Sequence, residues 1–247
     1  MKAMIFAAGL GTRLKPYTNT MPKALVPVAG SPMIEILIKH LVLNGITDII
    51  VNVHHFADQV IGFLNQNNGF GANITITISN ETGLLLDTGG GLKNASWFFN
   101  DNQPFLVQNV DVVCDINYAG FLETHCKNKA LATLAVSRRE TSRRFLFDSS
   151  MQLCGWENSK NNEQRMARTQ SENLTRFAFS GIQILDPAIF SLMPQIGKFS
   201  IIDSYLEIAS TKKIVGFVHD PQYWVDMGKP EELLKAEKIL EILKNKK

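Results

Sequence analysis

A long loop near the start of the chain carries residues suited to holding phosphates. It spans Ala8–Pro22, about fifteen residues, whereas a strand-to-helix turn usually takes roughly two to six. Gly9 and Gly11 lack a Cβ, which lets backbone N–H groups turn toward an anion. Arg13, together with Lys23 just beyond the loop, adds fixed positive charge for the same oxygens. This combination predicts a cradle for a triphosphate.

Two familiar phosphate-binding motifs do not match this loop. The dinucleotide-binding fingerprint needs a third glycine where Leu14 stands, and an acid after the next strand, where His54 and His55 stand. The P-loop needs four residues between its glycines and then Lys-Ser/Thr, which this segment lacks. A bare Gly-x-Gly is typical of a tight turn. The two histidines are expected to be structural, since no third ligand lies at zinc-like spacing.

Alternating strands and helices are predicted to position this loop. Through residue 128 the pattern predicts strands at 2–7, 49–53, 74–79 and 104–110, and helices ending at Asn44–Gly45 and spanning 56–66, 90–99 and 117–128. Ser31 is predicted to cap the first helix, with Pro32 in its first turn. Such alternation indicates an α/β fold with a largely parallel sheet, which binds ligands at the carboxyl ends of its strands.

The second half of the chain predicts a different arrangement. Adjacent strand candidates lie at 131–137, 144–155 and 176–184, which favours antiparallel pairs and therefore a mixed sheet. Residues Glu157–Asn173 hold almost no large apolar side chains and predict an exposed loop or hairpin, with a mobile flap over a site as the alternative. A terminal helix is predicted from Pro230. Because no linker or repeat divides the chain, we expect one domain over residues 1–247.

Composition and charge exclude several protein classes. The chain has 247 residues, 45% hydrophobic and 19% charged, as in globular proteins rather than disordered or fibrous ones. Its net charge of +2 is too balanced for a protein that binds nucleic acid mainly through phosphates. No stretch is apolar and long enough to span a bilayer, so no membrane partner is expected. Three cysteines in no metal-like pairing favour a reducing cytoplasm, and composition does not indicate an oligomeric state.

Motifs spread along the chain resemble the signature of one enzyme family. Residues 9–18 and 22–28 read Gly-x-Gly-Thr-Arg-Leu-x-Pro-x-Thr and Pro-Lys-x-Leu-x-Pro-Val. Residues 86–92 read Leu-Asp-Thr-Gly-Gly-Gly-Leu, residues 109–111 read Asn-Val-Asp, and residues 224–231 read Trp-Val-Asp-Met-Gly-Lys-Pro-Glu. In this order they resemble the nucleoside-triphosphate:sugar-1-phosphate nucleotidylyltransferases, especially the short single-domain branch that acts on muramate, mannose and heptose 1-phosphates.

The resemblance implies a fold and a reaction. The fold is a Rossmann-like three-layer α/β domain with a mixed, mostly parallel sheet. The reaction transfers NMP from an NTP, with UTP or GTP expected, to a sugar 1-phosphate, which releases pyrophosphate and forms an NDP-sugar for cell-envelope polysaccharide. The sugar phosphate itself attacks the α-phosphate, so no protein nucleophile is required. Arg13 and Lys23 are the implied catalytic residues, because they neutralise phosphate charge.

The resemblance also implies binding residues. Asp111 and Asp226 match the Mg²⁺ ligands of the family, and paired carboxylates suit this hard ion, although Asp111 taken alone is equally typical of a turn. The sugar-site residues implied are Glu157 and Gly181. The nucleotide-binding residues implied are Ala8, Gly9, Gly11, Thr12, Thr88, Gly89 and Gly90.

The sequence departs from the family pattern in three places. Val110 stands where the family usually has glycine, and its bulk is expected to crowd the metal site. Asp87 replaces another glycine. Asn158 and Ser159 follow Glu157, where many relatives carry Glu-Lys-Pro, so the lysine contact to the sugar phosphate is missing or supplied elsewhere.

Two other functions stay open from the sequence. Related short enzymes transfer a cytidylyl group to phosphocholine with the same loop, and their quaternary ammonium requires an aromatic cage, for which Trp156 is the tryptophan near the expected acceptor site. The second is a catalytically silent nucleotide-binding regulatory protein. Retention of Arg13, Lys23 and both carboxylates favours an enzyme over this alternative.

Overall fold

The computed structural model describes residues 1–67, 70–71, 73–168 and 173–245, with side chains up to residue 243. The strands are β1 (Ala3–Phe6), β2 (Pro27–Val28), β3 (Ser31–Pro32), β4 (Asp48–Val53), β5 (Thr75–Asn80), β6 (Phe105–Asn109), β7 (Val112–Cys114), β8 (Ala132–Ser137), β9 (Arg143–Phe147), β10 (Leu153–Asn158), β11 (Glu163–Met166), β12 (Thr175–Leu185), β13 (Ile214–Val218) and β14 (Trp224–Asp226). The α-helices are α1 (Met33–Leu43), α2 (Ala57–Gln66), α3 (Asp87–Asn94), α4 (Tyr118–Asn128), α5 (Ile189–Leu192), α6 (Ile201–Ala209) and α7 (Pro230–Asn245).

The chain forms two compact units. The first comprises Met1–Asp87, Val107–Asp115 and the chain from Gln222 onward, and the second comprises Thr88–Leu106 and Ile116–Pro221. The sequence expectation of one domain over residues 1–247 stays a prediction. Among the described residues, no helix is both long and apolar enough to cross a membrane.

Parallel strands form the core of the first unit. β1 pairs with β4 from Ala3↔Ile49 onward, and β4 pairs with β5 from Asp48↔Thr75 onward, both in parallel. Apolar side chains fill β1 and β4 because both faces of these strands are buried. The helices α1 and α2 connect these strands, as parallel pairing requires. The predicted strands at 2–7, 49–53 and 74–79 and the helix at 56–66 are confirmed.

The start of the first helix differs from the prediction. Ser31 was expected as its N-cap, but α1 begins at Met33, and the flanking Pro32 makes no side-chain capping hydrogen bond. Ser31 and Pro32 instead pair antiparallel with Pro27–Val28. A tight turn at Ala29 and Gly30, both with positive φ, joins these two short strands, so the backbone of Ser31 is used in pairing.

A second ribbon in the first unit joins distant parts of the chain. β7 and β14 pair antiparallel with the register Trp224↔Cys114 and Asp226↔Val112. The predicted terminal helix is confirmed, since α7 begins at Pro230, where the fixed φ of proline suits a first turn.

The second unit combines parallel and antiparallel strands. β8 pairs in parallel with β13 and antiparallel with β12, and β12 continues antiparallel to β9. Stacked rings fill part of its core, with Phe99 and Phe105 at 3.7 Å between centroids and Phe105 and Phe190 at 5.6 Å. The described strands of the two units thus confirm the predicted α/β class with a mixed sheet.

Two predicted elements of this unit are wrong in their extent. The predicted single strand at 144–155 is instead a hairpin of β9 and β10. Asp148 Oδ1 accepts hydrogen bonds from the N–H groups of Ser150 and Gln152, both at 2.9 Å, and these bonds stabilise the turn between the two strands. The predicted helix at 90–99 begins earlier, at Asp87, and ends at Asn94.

The polar stretch predicted as a loop or hairpin contains a hairpin. β10 runs to Asn158 and pairs antiparallel with β11, with the register Asn158↔Glu163. Residues 169–172 of this prediction lie outside the described residues. The exposed side chains of β11 explain why this stretch lacks large apolar residues.

A buried histidine in the second unit predicts an acid sensitivity of the fold. His125 on α4 is 2% exposed, and its Nδ1 lies 2.9 Å from Thr133 Oγ1 on β8. Burial lowers the pKa of His125 from the ordinary value of 6.5, with the Asp186 carboxylate opposing this change. At pH values between 6.5 and the lowered pKa, His125 is protonated in the unfolded chain but not in the folded chain. The folded state therefore loses stability as the pH falls through this range.

We therefore expect His125→Gln to lose less stability than the wild type on acidification. The contribution of this one group has a slope of at most about 1.4 kcal/mol per pH unit. Urea unfolding of both proteins at about pH 7 and about pH 5.5 measures the difference in stability loss. Burial also lowers the pKa of His219, but the contributions of such groups cancel in the comparison because both proteins carry them. Equal losses in the two proteins would contradict this prediction.

Candidate active site

The loop after β1 folds back on itself around Gly11. Gly11 has a φ of 63°, in the left-handed region that favours glycine. A Cβ there would lie 2.8 Å from Thr18 Cγ2 and 3.0 Å from Lys23 Cβ, so a side chain would push these segments apart. Thr18 Oγ1 donates a hydrogen bond to the Gly11 carbonyl at 2.8 Å. These contacts place Lys23 beside the glycine turn, as a cradle requires.

The remaining predicted residues of this loop lie along the same turn. Ala8 is buried, whereas Gly9 is exposed with no atom within 4 Å of a would-be Cβ. Thr12 begins a short 3₁₀ helix that includes Arg13. Their nucleotide-binding roles stay predictions, and the open space at Gly9 leaves its backbone accessible.

A cluster of two acids and two bases lies in the first unit. Lys23 Nζ donates a hydrogen bond to Asp111 Oδ2. Arg13 Nη1 lies 3.3 Å from Asp226 Oδ2, and Arg13 Nη2 lies 3.9 Å from Asp111 Oδ2. Asp111 is only 6% exposed, so its charge requires a nearby partner. We call Arg13, Lys23, Asp111 and Asp226 the charge cluster. The structure brings together the four residues that the sequence predicted to be catalytic or metal-binding.

The β7–β14 ribbon positions the two acids. Asp111 precedes β7, and Asp226 is the last residue of β14, in register with Val112. The Met227 N–H donates to the Asp111 carbonyl at 2.7 Å, and the Gly228 N–H donates to Asp226 Oδ1 at 2.8 Å. One backbone hydrogen bond thus joins the two segments that carry the acids, and another fixes the Asp226 carboxylate, although the acids are far apart in sequence.

Gly228 lies against the charge cluster, and sequence reasoning gave it no role. A Cβ at this position would lie 2.6 Å from Arg13 Nη2, 2.6 Å from Asp226 Oδ1 and 2.9 Å from Asp111 Oδ2. The absence of a side chain thus leaves space between the charged groups. The signal was the glycine two residues after Asp226 in the last motif.

The two carboxyl groups have opposite proton affinities. Burial raises the pKa of Asp111 above the ordinary 3.8, opposed by the positive charge of Lys23 and reinforced by the nearby Asp226. Burial also acts on Asp226, but hydrogen bonds from Asp111 and from Gly228 and the charge of Arg13 hold the pKa of Asp226 below 3.8. The two neighbouring acids therefore differ in how readily they lose their protons, as expected for carboxyl groups that lie together in one site.

The donor set fits a hard divalent cation. Two carboxylates lie together, and Gly228 leaves the space between them free of a side chain. Among the described residues, no group of three or more His, Cys, Asp or Glu side chains surrounds a metal position. Mg²⁺ typically takes one or two carboxylates and completes its shell with phosphate oxygens and water, which matches this pair.

Thr88, Gly89 and Gly90 lie in the second unit, at the start of α3. The Gly89 and Gly90 N–H groups donate to the Phe199 carbonyl at 3.0 and 3.3 Å, and Thr88 Oγ1 accepts from the Ile201 N–H at 3.0 Å. A Cβ on Gly89 would lie 2.4 Å from the Phe199 ring. Packing therefore requires the glycine at position 89, and the nucleotide-binding role of the three residues stays a prediction.

The two predicted sugar-site residues also lie in the second unit. The Glu157 carboxylate forms an ion pair with Arg144 Nε at 3.1 Å and accepts hydrogen bonds from Arg176 Nε at 3.1 and 3.2 Å. Gly181 has a φ of 73° and lies where the register between β12 and β8 shifts. A left-handed backbone at an irregular strand favours glycine, so local geometry accounts for Gly181. The sugar-binding roles of both residues stay predictions.

The chain matches known proteins over nearly its whole length. A family model described as Nucleotidyl transferase matches residues 2–146. The N-acetylmuramate alpha-1-phosphate uridylyltransferase of Caulobacter vibrioides is 31% identical over 244 residues, which cover 95% of each chain. The mannose-1-phosphate guanyltransferase of Yarrowia lipolytica is 30% identical over 236 residues, 95% of this chain and 62% of that protein. The chain thus spans about three fifths of the length of such fungal relatives.

A solved structure has a similar fold. HddC from Yersinia pseudotuberculosis, crystallised with GMP-PN, superimposes with a TM-score of 0.74 at 26% identity, covering 96% of this chain and 98% of that one. The family model, the full-length uridylyltransferase relative and this fold agree with the motifs that meet in the charge cluster. The chain belongs to the sugar-1-phosphate nucleotidylyltransferase family.

Proposed function

We propose that this protein transfers a nucleotidyl group from a nucleoside triphosphate to a sugar 1-phosphate. A phosphate oxygen of the sugar forms a bond to the α-phosphorus, the bond from that phosphorus to the β-phosphate oxygen breaks, and pyrophosphate leaves with the electron pair. The observation that carries the proposal is the charge cluster, in which Arg13 and Lys23 meet the acids Asp111 and Asp226. Relatives named as sugar-1-phosphate guanylyl- and uridylyltransferases support the same reaction.

The protein groups act by binding and by neutralising charge. The backbone of the loop around Gly9 and Gly11 turns N–H groups toward the phosphates, as glycine-rich turns do. Arg13 and Lys23 stabilise the negative charge that develops on the transferred phosphoryl group and on the leaving pyrophosphate. The acceptor phosphate is itself the nucleophile, so the protein contributes alignment rather than a covalent intermediate.

Asp111 and Asp226 are proposed to hold Mg²⁺. The carboxylate pair and the space at Gly228 support this assignment. The ion would supply Lewis-acid stabilisation of phosphate charge when bound. Val110, expected to crowd the site, has a buried side chain, 3% exposed, and its backbone N–H donates to the Phe6 carbonyl at 3.1 Å.

The nucleotide is proposed to be UTP or GTP, and the acceptor a muramate, mannose or heptose 1-phosphate. The uridylyltransferase relative, which matches over 95% of its length, favours UTP and N-acetylmuramate 1-phosphate as the first pair to test. Near Glu157 the positive charges come from Arg144 and Arg176. These arginines take the place of the lysine that follows the glutamate in many relatives, and they suit a phosphorylated acceptor.

We further propose a cytoplasmic role in making nucleotide sugars for cell-envelope polysaccharide. Cys114, Cys126 and Cys154 form no disulfide bond, as a reducing compartment favours. The muramate-specific relative supports the cell-envelope link.

Removing one member of the charge cluster is expected to slow turnover. Asp111→Asn and Lys23→Ala should each reduce kcat by at least about tenfold, roughly 1.4 kcal/mol of barrier. Lys39→Ala is the matched control, because Lys39 pairs with Glu35 on the surface of α1 and is expected to leave kcat unchanged. Pyrophosphate release measures all three variants. Unchanged rates in both cluster variants would contradict the site assignment.

Adding a side chain at Gly228 is expected to slow turnover. In Gly228→Ala the new methyl group must displace Arg13 or a carboxylate, so we expect at least about a tenfold loss of turnover. Gly62→Ala on α2 is the control, since no atom lies within 4 Å of its Cβ, and it should gain roughly 0.5–1 kcal/mol of stability at full activity. Full activity of Gly228→Ala would show that the space has no catalytic role.

A substrate screen tests the reaction itself. Four triphosphates (UTP, GTP, CTP and dTTP) are combined with a panel of sugar 1-phosphates and with phosphocholine, and pyrophosphate is measured. We expect release with UTP or GTP and a sugar 1-phosphate. Release with CTP and phosphocholine alone would favour the cytidylyltransferase, and no release with any pair would favour a silent nucleotide-binding protein.

A further inference from the structure

Asn52 is a buried polar residue in a mostly apolar strand. It lies near the carboxyl end of β4 and is 3% exposed. Because β4 runs between β1 and β5, Asn52 is in register with Phe6 on one side and with Ser79 on the other. A buried amide is unfavourable unless both its oxygen and its nitrogen have hydrogen-bond partners. The partners of this side chain therefore indicate its role.

The oxygen of Asn52 holds the residue immediately before the loop after β1. β1 ends at Phe6, and the next backbone N–H, that of Ala7, donates to Asn52 Oδ1 at 2.8 Å. The Phe6 carbonyl accepts a hydrogen bond from Val110 N–H at 3.1 Å, immediately before Asp111. The origin of the loop is thus tied both to β4 and to the segment that carries the buried acid.

The nitrogen of Asn52 is held by Glu81, which is also 3% exposed. Asn52 Nδ2 donates to Glu81 Oε1 at 2.7 Å, and the Leu86 N–H donates to Glu81 Oε2 at 3.4 Å. The backbone N–H of Glu81 donates to the Val53 carbonyl at 2.8 Å, and His54 Nδ1 lies 2.7 Å from the Glu81 carbonyl. A carboxylate only accepts hydrogen bonds. It therefore selects the nitrogen of Asn52 and leaves the oxygen facing Ala7.

We propose that Asn52 and Glu81 are positioning residues for nucleotidyl transfer, in which Glu81 orients the Asn52 amide so that it fixes the origin of the triphosphate loop. Neither side chain is exposed enough to meet a substrate. Their effect is to order the loop before binding, which lowers the entropy that binding must offset. Only the kinetic part of the test below rests on the proposed function.

The cost of burying Glu81 supports a specific role for it. Burial raises the pKa of this carboxyl above the ordinary 4.5, opposed by hydrogen bonds from Asn52 and Leu86 and by the charge of His54. A buried acid with a raised pKa destabilises the ionised fold. The same carboxylate accepts a hydrogen bond from the N–H of Leu86, the first residue of the second motif, and it acts on the start of the loop after β1 only through Asn52.

The first test measures amide hydrogen exchange in the full chain. Glu81→Met is similar in size but offers no strong acceptor, so the Asn52 amide is free to turn and the Ala7 N–H loses its fixed partner. Glu81→Gln keeps an acceptor oxygen for Asn52. We expect exchange over residues 7–11 to be at least about fivefold faster in Glu81→Met, as loss of one net hydrogen bond gives, and within about twofold of wild type in Glu81→Gln.

The second test separates positioning from stability by kinetics. In Glu81→Met we expect the KM for the triphosphate to rise at least about fivefold, while the KM for the sugar phosphate stays within about twofold of wild type. In Glu81→Gln we expect the KM for the triphosphate to equal that of wild type. Thr133→Val is the control, because it removes a comparable buried hydrogen bond, to His125, in the second unit. It should lower stability without changing the KM for the triphosphate.

Several outcomes would overturn the positioning role. Unchanged amide exchange over residues 7–11 in Glu81→Met would do so, as would exchange that becomes faster to the same degree across the whole chain. A rise in the KM for the triphosphate in Thr133→Val as large as in Glu81→Met would also do so. If Glu81→Met does not fold, Asn52→Ala takes its place with the same expectations. A wild type that releases no pyrophosphate with any substrate pair would refute the proposed function, and exchange over residues 7–11 would still decide the positioning role.

Discussion

The pairing of two acids with two bases is the interaction on which the proposed site depends. Asp111 is almost fully buried, and an ionised carboxylate in such a position needs opposite charge within reach. Lys23 and Arg13 supply it from the loop after β1, and Asp226 enters from the far end of the chain. Under the proposed function, the two acids would bind a cation and the two bases would bind phosphates. The four groups that balance charge in the fold would then also be the binding groups.

Hydrogen bonds and two glycines hold this cluster in place. The loop is fixed at its origin by the hydrogen bond from Ala7 to Asn52, and near its end by Lys23 on Asp111. A Cβ at Gly11 would collide with Thr18 and Lys23, and a Cβ at Gly228 would collide with the charged groups themselves. Glycines and hydrogen bonds at these points hold a geometry that the charges alone would not keep, because long charged side chains lose much entropy when fixed.

The second unit shows how one residue can satisfy packing and a family motif together. Gly89 matches the second motif, yet the Phe199 ring leaves no space for any other residue. Glu157 matches a sugar-site position, and its carboxylate is held by Arg144 and Arg176. A residue that already has protein partners keeps a fixed orientation, which is a requirement of a precise acceptor site. The proposed sugar contacts are consistent with this arrangement.

The sequence by itself determined the α/β class, the family and the residues of the charge cluster, because apolar periodicity and closely spaced motifs are local properties of the chain. Predictions from the sequence were wrong at Ser31 and at Asp148. Ser31 pairs with a neighbouring strand instead of capping a helix, and hydrogen bonds to the Asp148 side chain form a turn within the predicted strand at 144–155. Only the tertiary structure decided that Gly228 leaves the space between the acids and that Glu81 orients Asn52. These roles depend on contacts between residues distant in sequence, and no local pattern specifies which distant atoms meet.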